Sequence, residues 1–504
     1  YFPLPFAIPF VLMRATSAFL ARLRGEPRAN IQSEQGVFFE EYQPNCMVRD
    51  LDRMGLYWFP FSGLGAERIV YFFDRHDDEA RFSEERCREL EARGFGWIRM
   101  TRPEIHVDSQ LKLLMRTFCM AMPAFPRRLD LAAFWWWSYT IRYVFMIEAM
   151  RVAFRRHKMR IVHQGREFGP ETTALFVAAK LENGISLWNR WSIDRFPTAH
   201  FNFAKGDLVF AWGPFGAAYY NAHDMSYEVM LRTGIIHADK MNPAPDEIAA
   251  VRTKLPPAIG FVITLFDSNV APVTQHDEGL LIEFFQDFFD ALADRPDCGV
   301  LLKSKGPTFA QLDAASGIHE RAAELGRRGQ FVALDSETPI GIAARASDFT
   351  LSFSINSPGV IAAIAGTPSI HIDTPGNVEN PLYDLTEPGS VIVATVADAF
   401  AAIDSYRTGD TSYGQTAPIV PLFDEFQDGR GRERAGKVIG RFMEIMEPGD
   451  ATPKAALSTI ADEYAAQWGR ARVHRYDDPR DSDLDILWRK RGITAEPTAT
   501  SERT

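Results

Sequence analysis

The sequence predicts an α/β fold made of two domains, and three observations lead to that prediction. The chain has 504 residues, which is too long for one ordinary domain. Short apolar segments alternate with longer amphipathic segments, as expected for parallel strands joined by helices. A proline-rich stretch, residues 242–258, divides this alternation into two runs. We therefore expect two Rossmann-like domains facing a central cleft, with helical additions at the N-terminus and a polar tail at the C-terminus.

The first run predicts an N-terminal domain over residues 61–241, preceded by an extension of residues 1–60. Its apolar segments of strand length are residues 66–74, 95–100, 160–165, 185–191 and 207–213. Helical patterns cover residues 77–94, 106–157 and 170–184, with a break near Pro123 and Pro126. This order of strands and helices indicates a parallel sheet.

The second run predicts a C-terminal domain over residues 259–447, joined to the first by the linker of residues 242–258. Its strand-like segments are residues 259–267, 298–306, 330–334, 348–353, 369–373 and 390–395. Its helical patterns are residues 278–294, 308–329, 338–346, 396–406 and 430–446. Charged, irregular sequence follows from residue 448 to residue 504, and we expect this tail to be partly disordered.

The overall composition excludes several classes of protein. Hydrophobic residues make up 46% and charged residues 24%, which is typical of a soluble globular chain. A net charge of −11 argues against a protein that binds nucleic acid. The four cysteines show no CxxC spacing, so neither a disulfide framework nor a zinc site is predicted. These properties favour a cytoplasmic protein.

Two apolar segments bear on membrane contact. The N-terminal residues 1–13 are apolar but too short and too rich in proline to span a bilayer. Residues 131–150 contain Trp135, Trp136 and Trp137 in a row, but Arg142 and Glu148 interrupt the apolar run, which favours a buried helix. Either segment can still make a peripheral contact with the inner face of the membrane.

The most informative motif is SFSINSPGVIAAIAGTPSIHIDTPGN, residues 352–377, in which an apolar strand passes into a short helix. It places Ser354, Asn356, Ser357 and Gly359 where the strand ends and the helix begins. Exposed amide N–H groups and the helix dipole make such a place favourable for a phosphate. The simpler interpretation is an ordinary helix N-cap in which Ser357 accepts a backbone hydrogen bond.

Three neighbouring strand ends carry further polar residues. Lys303 and Lys305 lie in LLKSKGP and can neutralise phosphate, although lysines there can also form a solvated rim. Asp373, between His371 and Asn377, can accept ribose or sugar hydroxyls or can cap a loop. Asp267, Ser268 and Asn269 end the first strand of the second domain. In an open parallel sheet these ends meet at one edge, where ligands bind.

The first domain offers candidates for a general base in the turn HQGREFGPETTALF, residues 163–176. His163, Glu167 and Glu171 can reach a cleft there, and Arg166 can complement negative charge. The alternative is a polar turn that caps a helix with glutamate in its first turn. His106 and Asp108 are weaker candidates of the same kind.

Several well-defined motifs do not occur in the sequence. There is no GxGxxG and no GxxxxGK[ST], hence no dinucleotide fingerprint and no P-loop. GxSxG and HExxH do not occur either, and the acidic run of residues 481–485 falls in the predicted tail. We therefore expect neither a bound metal ion nor a cofactor.

The order of these pieces resembles GT-B-type glycosyltransferases of bacterial capsule and surface-carbohydrate biosynthesis. The similar segments are HQGREFGPETTAL, LVFAWGPFGAAYY, LLKSKGP, SFSINSPGVIAAIAGTPSIHID and FDEFQDGRGRERAGKVIGRFME, which together cover roughly residues 60–446. Two departures stand out. The helix segment VIAAIAG carries no acid where many relatives have a glutamate that contacts the donor ribose, and LLKSKGP replaces Lys-x-His-Pro.

The resemblance implies a specific activity. A nucleotide-sugar donor would lie between the domains, with its phosphates on Ser357, Gly359, Lys303 and Lys305, and without a metal ion. A first-domain carboxylate or histidine would deprotonate the acceptor, a growing surface polysaccharide or a lipid-linked carbohydrate. Three alternatives remain open at this point: a sugar-nucleotide epimerase, a polyol-phosphate transferase, and a non-catalytic subunit of a polysaccharide assembly complex.

Overall fold

The computed structural model describes residues 29–30, 36–40, 56–73, 84–99, 115–124, 131–163, 170–189, 192–193, 205–236, 243–268, 277–335 and 338–494. Within these ranges the chain forms two mostly parallel sheets that are flanked by helices. This arrangement confirms the predicted fold class of two Rossmann-like domains.

The first sheet has nine strands among the described residues. They are β1 (Ala29–Asn30), β2 (Val37–Glu40), β3 (Ile69–Phe73), β4 (Gly96–Arg99), β5 (Ile161–His163), β6 (Ile185–Asn189), β7 (Lys205–Ala211), β8 (Ser226–Arg232) and β15 (Val473–Arg475), in the order β1-β4-β3-β2-β5-β6-β7-β8-β15. The strands from β2 to β8 pair in parallel. At the two edges, β1 and β15 pair antiparallel with β4 and β8.

Four strands of this sheet, β1, β2, β8 and β15, are not among the strands that the sequence predicts. The sequence predicts residues 1–60 as an extension outside the first domain, but Val37–Glu40 form β2 between β3 and β5. It also predicts no strand between residue 213 and the linker, where Ser226–Arg232 form β8. Both segments are recognised as strands only through their pairing partners, because β2 is short and β8 mixes buried and half-buried side chains.

The helices of the first domain cover the sheet with apolar side chains. They are α1 (Glu84–Ala92), α2 (residues 115–121), α3 (Leu131–Arg156), α4 (Pro170–Leu181) and α5 (Pro214–Ala222). The single helical pattern predicted over residues 106–157 is therefore α2 and α3, separated around Pro123 as expected. Phe154 of α3 packs edge-on against Phe38 of β2, with the ring centroids 5.4 Å apart. Among the described residues, no helix has both the length and the apolar character that crossing a bilayer requires.

The second sheet consists of six parallel strands. They are β9 (Phe261–Phe266), β10 (Cys298–Lys303), β11 (Phe331–Ala333), β12 (Phe349–Phe353), β13 (Ser369–Ile372) and β14 (Ile392–Val393), in the order β11-β10-β9-β12-β13-β14. The first strand of this sheet along the chain, β9, pairs with β10 on one side and with β12 on the other. The chain therefore reverses its direction of winding between β9 and β12, as in the classical doubly wound fold.

Nine helices accompany this sheet and its linker in the described residues. They are α6 (Pro245–Arg252), α7 (Glu278–Ala293), α8 (Thr308–Gln311), α9 (Ile318–Arg327), α10 (Ile340–Arg345), α11 (Ser357–Ile364), α12 (Leu382–Leu385), α13 (Val396–Arg407) and α14 (Val420–Phe423). α7 shows how the pattern sets the packing. Asp277 caps its N-terminus by accepting the N–H of Leu280 at 2.7 Å, and phenylalanines at helical spacing face the sheet.

The chain returns to the first domain after the second sheet. α15 (Gly431–Met446), which the sequence assigns to the second domain, places Ile439 and Phe442 in the apolar cluster of the first sheet. α16 (Pro453–Trp468), β15 and α17 (Asp483–Thr494) follow. The expectation of an irregular tail from residue 448 was wrong for these residues, because their apolar side chains bury against the first domain. Residues 495–504 lie outside the described part.

Candidate functional site

The carboxyl ends of β9 and β12 lie side by side, at the place where the winding of the second sheet reverses. β9 ends at Phe266 and is followed by Asp267 and Ser268, both buried. β12 ends at Phe353 and is followed by Ser354. Ligands of open α/β sheets bind in the crevice at such a reversal. The polar residues predicted from separate strand ends therefore meet at one edge.

Asp267 is the central ionisable group of this edge. One of its carboxylate oxygens accepts the hydroxyl of Ser304 at 2.5 Å, and the other accepts the backbone N–H of Lys305 at 2.6 Å. Burial raises the pKa of Asp267 to about 6, while these two hydrogen bonds and the charges of Lys303 and Lys305 act in the opposite direction. The carboxyl thus fixes the turn after β10 and changes its charge near neutral pH.

The two predicted lysines lie at this edge. Lys303 is the last residue of β10, half-buried, and its Nζ donates to the carbonyl of Ser304 at 3.1 Å. Lys305 follows in the turn, and its side chain is exposed. Their charges act on Asp267, which places both ammonium groups within electrostatic reach of the same carboxyl. The arrangement provides positive charge where a diphosphate can lie.

The polar residues after β12 and β13 form a closed network. Ser354 has φ +63°, a left-handed conformation that few residues other than glycine adopt. Its hydroxyl donates to Asp373 at 3.5 Å and accepts from the amide of Asn377 at 3.0 Å. Asp373 also accepts the backbone N–H of Asn377 at 2.5 Å and the hydroxyl of Tyr383 at 2.6 Å. Ser354 and Asp373 thus hold two loops together, a role that their positions in the sequence do not reveal.

The N-terminus of α11 is capped by Asn356 and not by Ser357. The Asn356 side chain accepts the N–H of Gly359 at 3.0 Å and donates to the carbonyl of Phe353 at 3.1 Å. The simpler interpretation of Ser357 as the cap was therefore wrong. Pro358 has no N–H and the N–H of Gly359 is bound by Asn356, so neither residue offers an amide to an anion.

Gly359 is required by the packing of α11 against the sheet. A Cβ at this position would lie 2.4 Å from Cε1 of His371 and 2.6 Å from Oγ of Ser352. These two residues face each other in the register of β12 and β13. The glycine therefore lets the helix approach the two strands, which is a structural reason for it at a position predicted to bind phosphate.

The hydroxyl of Ser357 contacts the first domain. It accepts the N–H of Ile193 at 3.2 Å and is hydrogen-bonded to the hydroxyl of Ser192. An apolar cluster surrounds this contact and takes side chains from both domains; it includes Trp188, Phe215, Tyr219, Ile355, Val360, Phe423 and Trp488. The domains are therefore in contact beside the N-terminus of α11. Sequence patterns did not indicate that Ser192 and Ile193 contact Ser357.

His163 is the last residue of β5 and is fully buried. Its Nδ1 accepts the indole N–H of Trp58 at 3.1 Å, and its Nε2 lies 2.5 Å from Oδ1 of Asn189, to which it donates. Burial lowers its pKa to about 4. With both ring nitrogens engaged inside the protein, His163 is placed to position strands and not to take a proton from an acceptor.

The other candidates for the base lie wholly or in part outside the described residues. Glu167 and Arg166 lie outside the described residues, as do His106 and Asp108. Glu171 belongs to the first turn of α4, and its side chain is outside the described part. Among the described residues, no three His, Cys, Asp or Glu side chains are grouped as a metal site would require.

Comparison with protein families gives one match. Residues 193–398 fit the family described as polysaccharide biosynthesis PFTS motif protein, over less than half of the chain. The matched segment includes β9 to β14 and α11, and hence the edge that holds Asp267 and the two lysines. This match agrees with the resemblance that the motifs indicate. No curated protein sequence matches the chain at a significant level.

Solved structures similar to this chain include three from cell-surface or UDP-binding systems. The wall teichoic acid polymerase TagF has a TM-score of 0.46 and 12% identity, covering 88% of this chain and 98% of its own. HepE of Anabaena, solved with UDP and glucose, has a TM-score of 0.47 and 14% identity, covering 83% of this chain and 100% of its own. MnaA of S. aureus, solved with UDP, has a TM-score of 0.44 and 11% identity, covering 82% of this chain and 98% of its own.

Proposed function

We propose that this protein is a glycosyltransferase that moves a sugar from a nucleotide-activated donor to a growing surface polysaccharide or a glycolipid, without a metal ion. The observation that carries the proposal is the edge of the second sheet where its winding reverses. Lys303 and Lys305 supply positive charge there beside the buried Asp267. The family match to polysaccharide biosynthesis covers the same strands.

The donor phosphates lie against the two lysines in this proposal. A diphosphate leaving group needs fixed positive charge and N–H donors, which a protein can supply in place of a metal ion. Because neither Pro358 nor Gly359 of α11 offers an amide, the lysines carry most of the neutralisation. Ser354, Asn356, Gly359 and Asp373 then shape the loops around the donor and do not themselves bind it.

Donor binding also has a consequence for the contact between the domains. Ser192 and Ile193 are hydrogen-bonded to the hydroxyl of Ser357, at the N-terminus of α11. A donor phosphate that reaches this N-terminus displaces the contact, and such movement of domains around a substrate is common in transferases. Glu167 and Glu171 remain the proposed candidates for the base that deprotonates the acceptor.

A thermal-shift and calorimetric screen of the purified chain tests the proposal. The panel contains UDP, CMP, CDP, GDP and dTDP, each alone and joined to its common sugars. It includes UDP and UDP-linked glucose because HepE was solved with UDP and glucose. We expect one nucleotide to raise the melting temperature. Lys303→Ala and Lys305→Ala should each weaken its binding about tenfold, more at low salt than at high salt.

The matched control is Lys454→Ala, an exposed lysine of α16 that lies outside the second domain. It should leave nucleotide binding unchanged. Binding that is unaffected by both edge variants, or weakened equally by the control, contradicts the proposed donor site. Turnover is then tested with Glu167→Gln, which should abolish sugar transfer while nucleotide binding persists.

A non-catalytic role is the second candidate, and one observation favours it. The helix α11 carries only small and apolar side chains after Gly359, so it has no acid to hold a donor ribose. Nucleotide binding without transfer to any acceptor, unchanged in Glu167→Gln, would support a binding subunit of an assembly complex.

A further inference from the structure

Exposed large apolar side chains are concentrated in one short part of the described chain. Five of the ten are Met115, Met120, Met122, Trp136 and Tyr139, which we call the 115–139 patch. Trp136 is 65% exposed and Met115 is 60% exposed. The predicted burial of the tryptophan triplet is therefore correct for Trp137 alone. Apolar side chains that gather on one surface indicate contact with a membrane or a partner.

The patch lies on two helical segments that pack on each other. Trp137 is buried between them and donates its indole N–H to the carbonyl of Ala121 at 3.0 Å. With Ile141 and Phe118 it forms a small apolar cluster of its own. The second half of α3 packs separately against the first sheet, through residues such as Phe154. The outward side chains of the patch are thus not needed for the core of the domain.

The aromatic residues of α3 form a continuous edge. The ring centroids of Trp135 and Trp136 are 5.0 Å apart, and those of Trp135 and Tyr139 are 5.1 Å apart. Tryptophan and tyrosine combine an apolar ring with a polar group, so they favour the boundary between water and hydrocarbon. Flexible methionines beside them adapt to an irregular apolar surface.

The sequence segment that contains the patch has a charge opposite in sign to that of the whole chain. Residues 111–150 contain five basic residues, Lys112, Arg116, Arg127, Arg128 and Arg142, and two acids, Asp130 and Glu148, whereas the chain carries −11 overall. The half-exposed Arg116 lies 3.4 Å from the buried carboxylate of Glu148. A second copy of this chain would bring the same positive segment to the contact and be repelled. Anionic lipid headgroups complement it.

We infer that the 115–139 patch docks on the headgroup region of an anionic bilayer. Trp136, Tyr139 and the three methionines enter the boundary between headgroups and acyl chains, and the net positive charge of the segment attracts it to anionic headgroups. The helices lie on the surface and do not span it. The inference rests on this surface alone and is independent of the proposed sugar transfer.

Co-sedimentation of the full chain with vesicles tests the inference. The vesicles contain phosphatidylcholine, with or without phosphatidylglycerol. We expect the protein to bind the mixed vesicles more tightly than the neutral ones, with binding that weakens as salt is added. The double variant Trp136→Ser and Tyr139→Ser should bind about tenfold more weakly, because two aromatic side chains no longer enter the interface.

The control is Ile486→Ser, which removes from α17 an apolar side chain whose exposure, 52%, lies between those of Trp136 and Tyr139. It should bind vesicles like the original chain, and both variants should keep its circular dichroism spectrum. Equal binding by the double variant and the original chain overturns the inference, as does no binding to anionic vesicles. Self-association that the double variant abolishes, without vesicle binding, identifies a contact between copies and also overturns it.

Discussion

At the scale of single residues, Asp267 and His163 are both buried at strand ends, and burial moves their pKa values in opposite directions. The pKa of Asp267 rises to about 6, and that of His163 falls to about 4. Both shifts have the same cause, since a charge is less stable away from water. At neutral pH the carboxyl is a buried charge held beside lysines, whereas the imidazole is neutral and structural.

The titration of Asp267 has a measurable effect on stability. Its pKa is about 6 in the folded chain against an ordinary 3.8, so between these values the folded state holds more protons than the unfolded state. The stability that this group contributes is therefore full below about pH 4 and is lost as the pH rises through about 6. The loss amounts to about 3 kcal/mol.

Asp267→Asn removes this titration and isolates it. We expect the difference in free energy of unfolding, original chain minus variant, to fall by about 3 kcal/mol between pH 4 and pH 7. Urea unfolding at several pH values measures it. The constant cost of hydrogen bonds lost in the variant cancels in this comparison. A difference that does not change with pH would show that the carboxyl is not held in a buried, uncharged form.

Sequence patterns identified the residue types at this edge but not their hydrogen bonds. Lys303, Lys305 and Asp267 were predicted to lie at one edge of the sheet, because they follow apolar strands and parallel strands bring their carboxyl ends together. The network of Ser354 and Asp373 was not predictable. It depends on a positive φ at Ser354 and on Tyr383, which reaches Asp373 from a later helix.

At the scale of elements, α11 and the strands beneath it form one closely packed unit. The critical approach is the one between Gly359 and His371, since a methyl group at position 359 would lie 2.4 Å from the imidazole. His371 is buried and its Nδ1 lies 3.3 Å from the carbonyl of Ser354. Moving either group disturbs the first turn of α11, which contains Ser357.

Gly359→Ala should therefore lower stability by about 2 kcal/mol and also weaken nucleotide binding. Gly216→Ala is the matched control, because Gly216 lies within α5 with open space around it. That change should leave stability unchanged or raise it by about 1 kcal/mol, as expected for alanine in a helix. Melting temperatures and calorimetry measure both effects. Equal results for the two variants would contradict the close approach.

The regular alternation of the second domain was predictable, whereas four strands of the first sheet were not; β2 and β8 show why. Each of β9, β10 and β12 is mostly apolar and buried almost throughout, as in strands buried on both faces. β2 has four residues, and β8 alternates half-buried and buried side chains only over its first four residues. The structure of such segments is determined by pairing with neighbouring strands. Those strands are distant in the sequence, so a local pattern carries no information about the pairing.

At the scale of the whole molecule, the C-terminal segments join the two domains. Trp488 of α17 is fully buried, and its ring centroid lies 4.8 Å from that of Tyr219 and 5.1 Å from that of Phe215. The cluster around it also contains Val360 of α11 and Phe423 of α14. The predicted tail is thus part of the contact between domains, a role that its charged composition concealed.

Trp488→Ala should lower the free energy of unfolding by about 4 kcal/mol, because it leaves a cavity in this shared cluster. Ile486→Ala, on the exposed side of the same helix, should change it by less than about 0.5 kcal/mol. Urea unfolding of the two variants distinguishes them. A small effect of Trp488→Ala would mean that α17 is dispensable for holding the domains together.

The position of β15 also determines the order in which the protein can be completed during its synthesis. The strand covers the edge of β8, yet its residues leave the ribosome only after the entire second sheet. Until then β8 has an open edge, to which strands of other chains can add. The second domain can therefore finish folding before the first, and a gene fragment that stops at the linker would yield a sheet with a permanently unpaired strand.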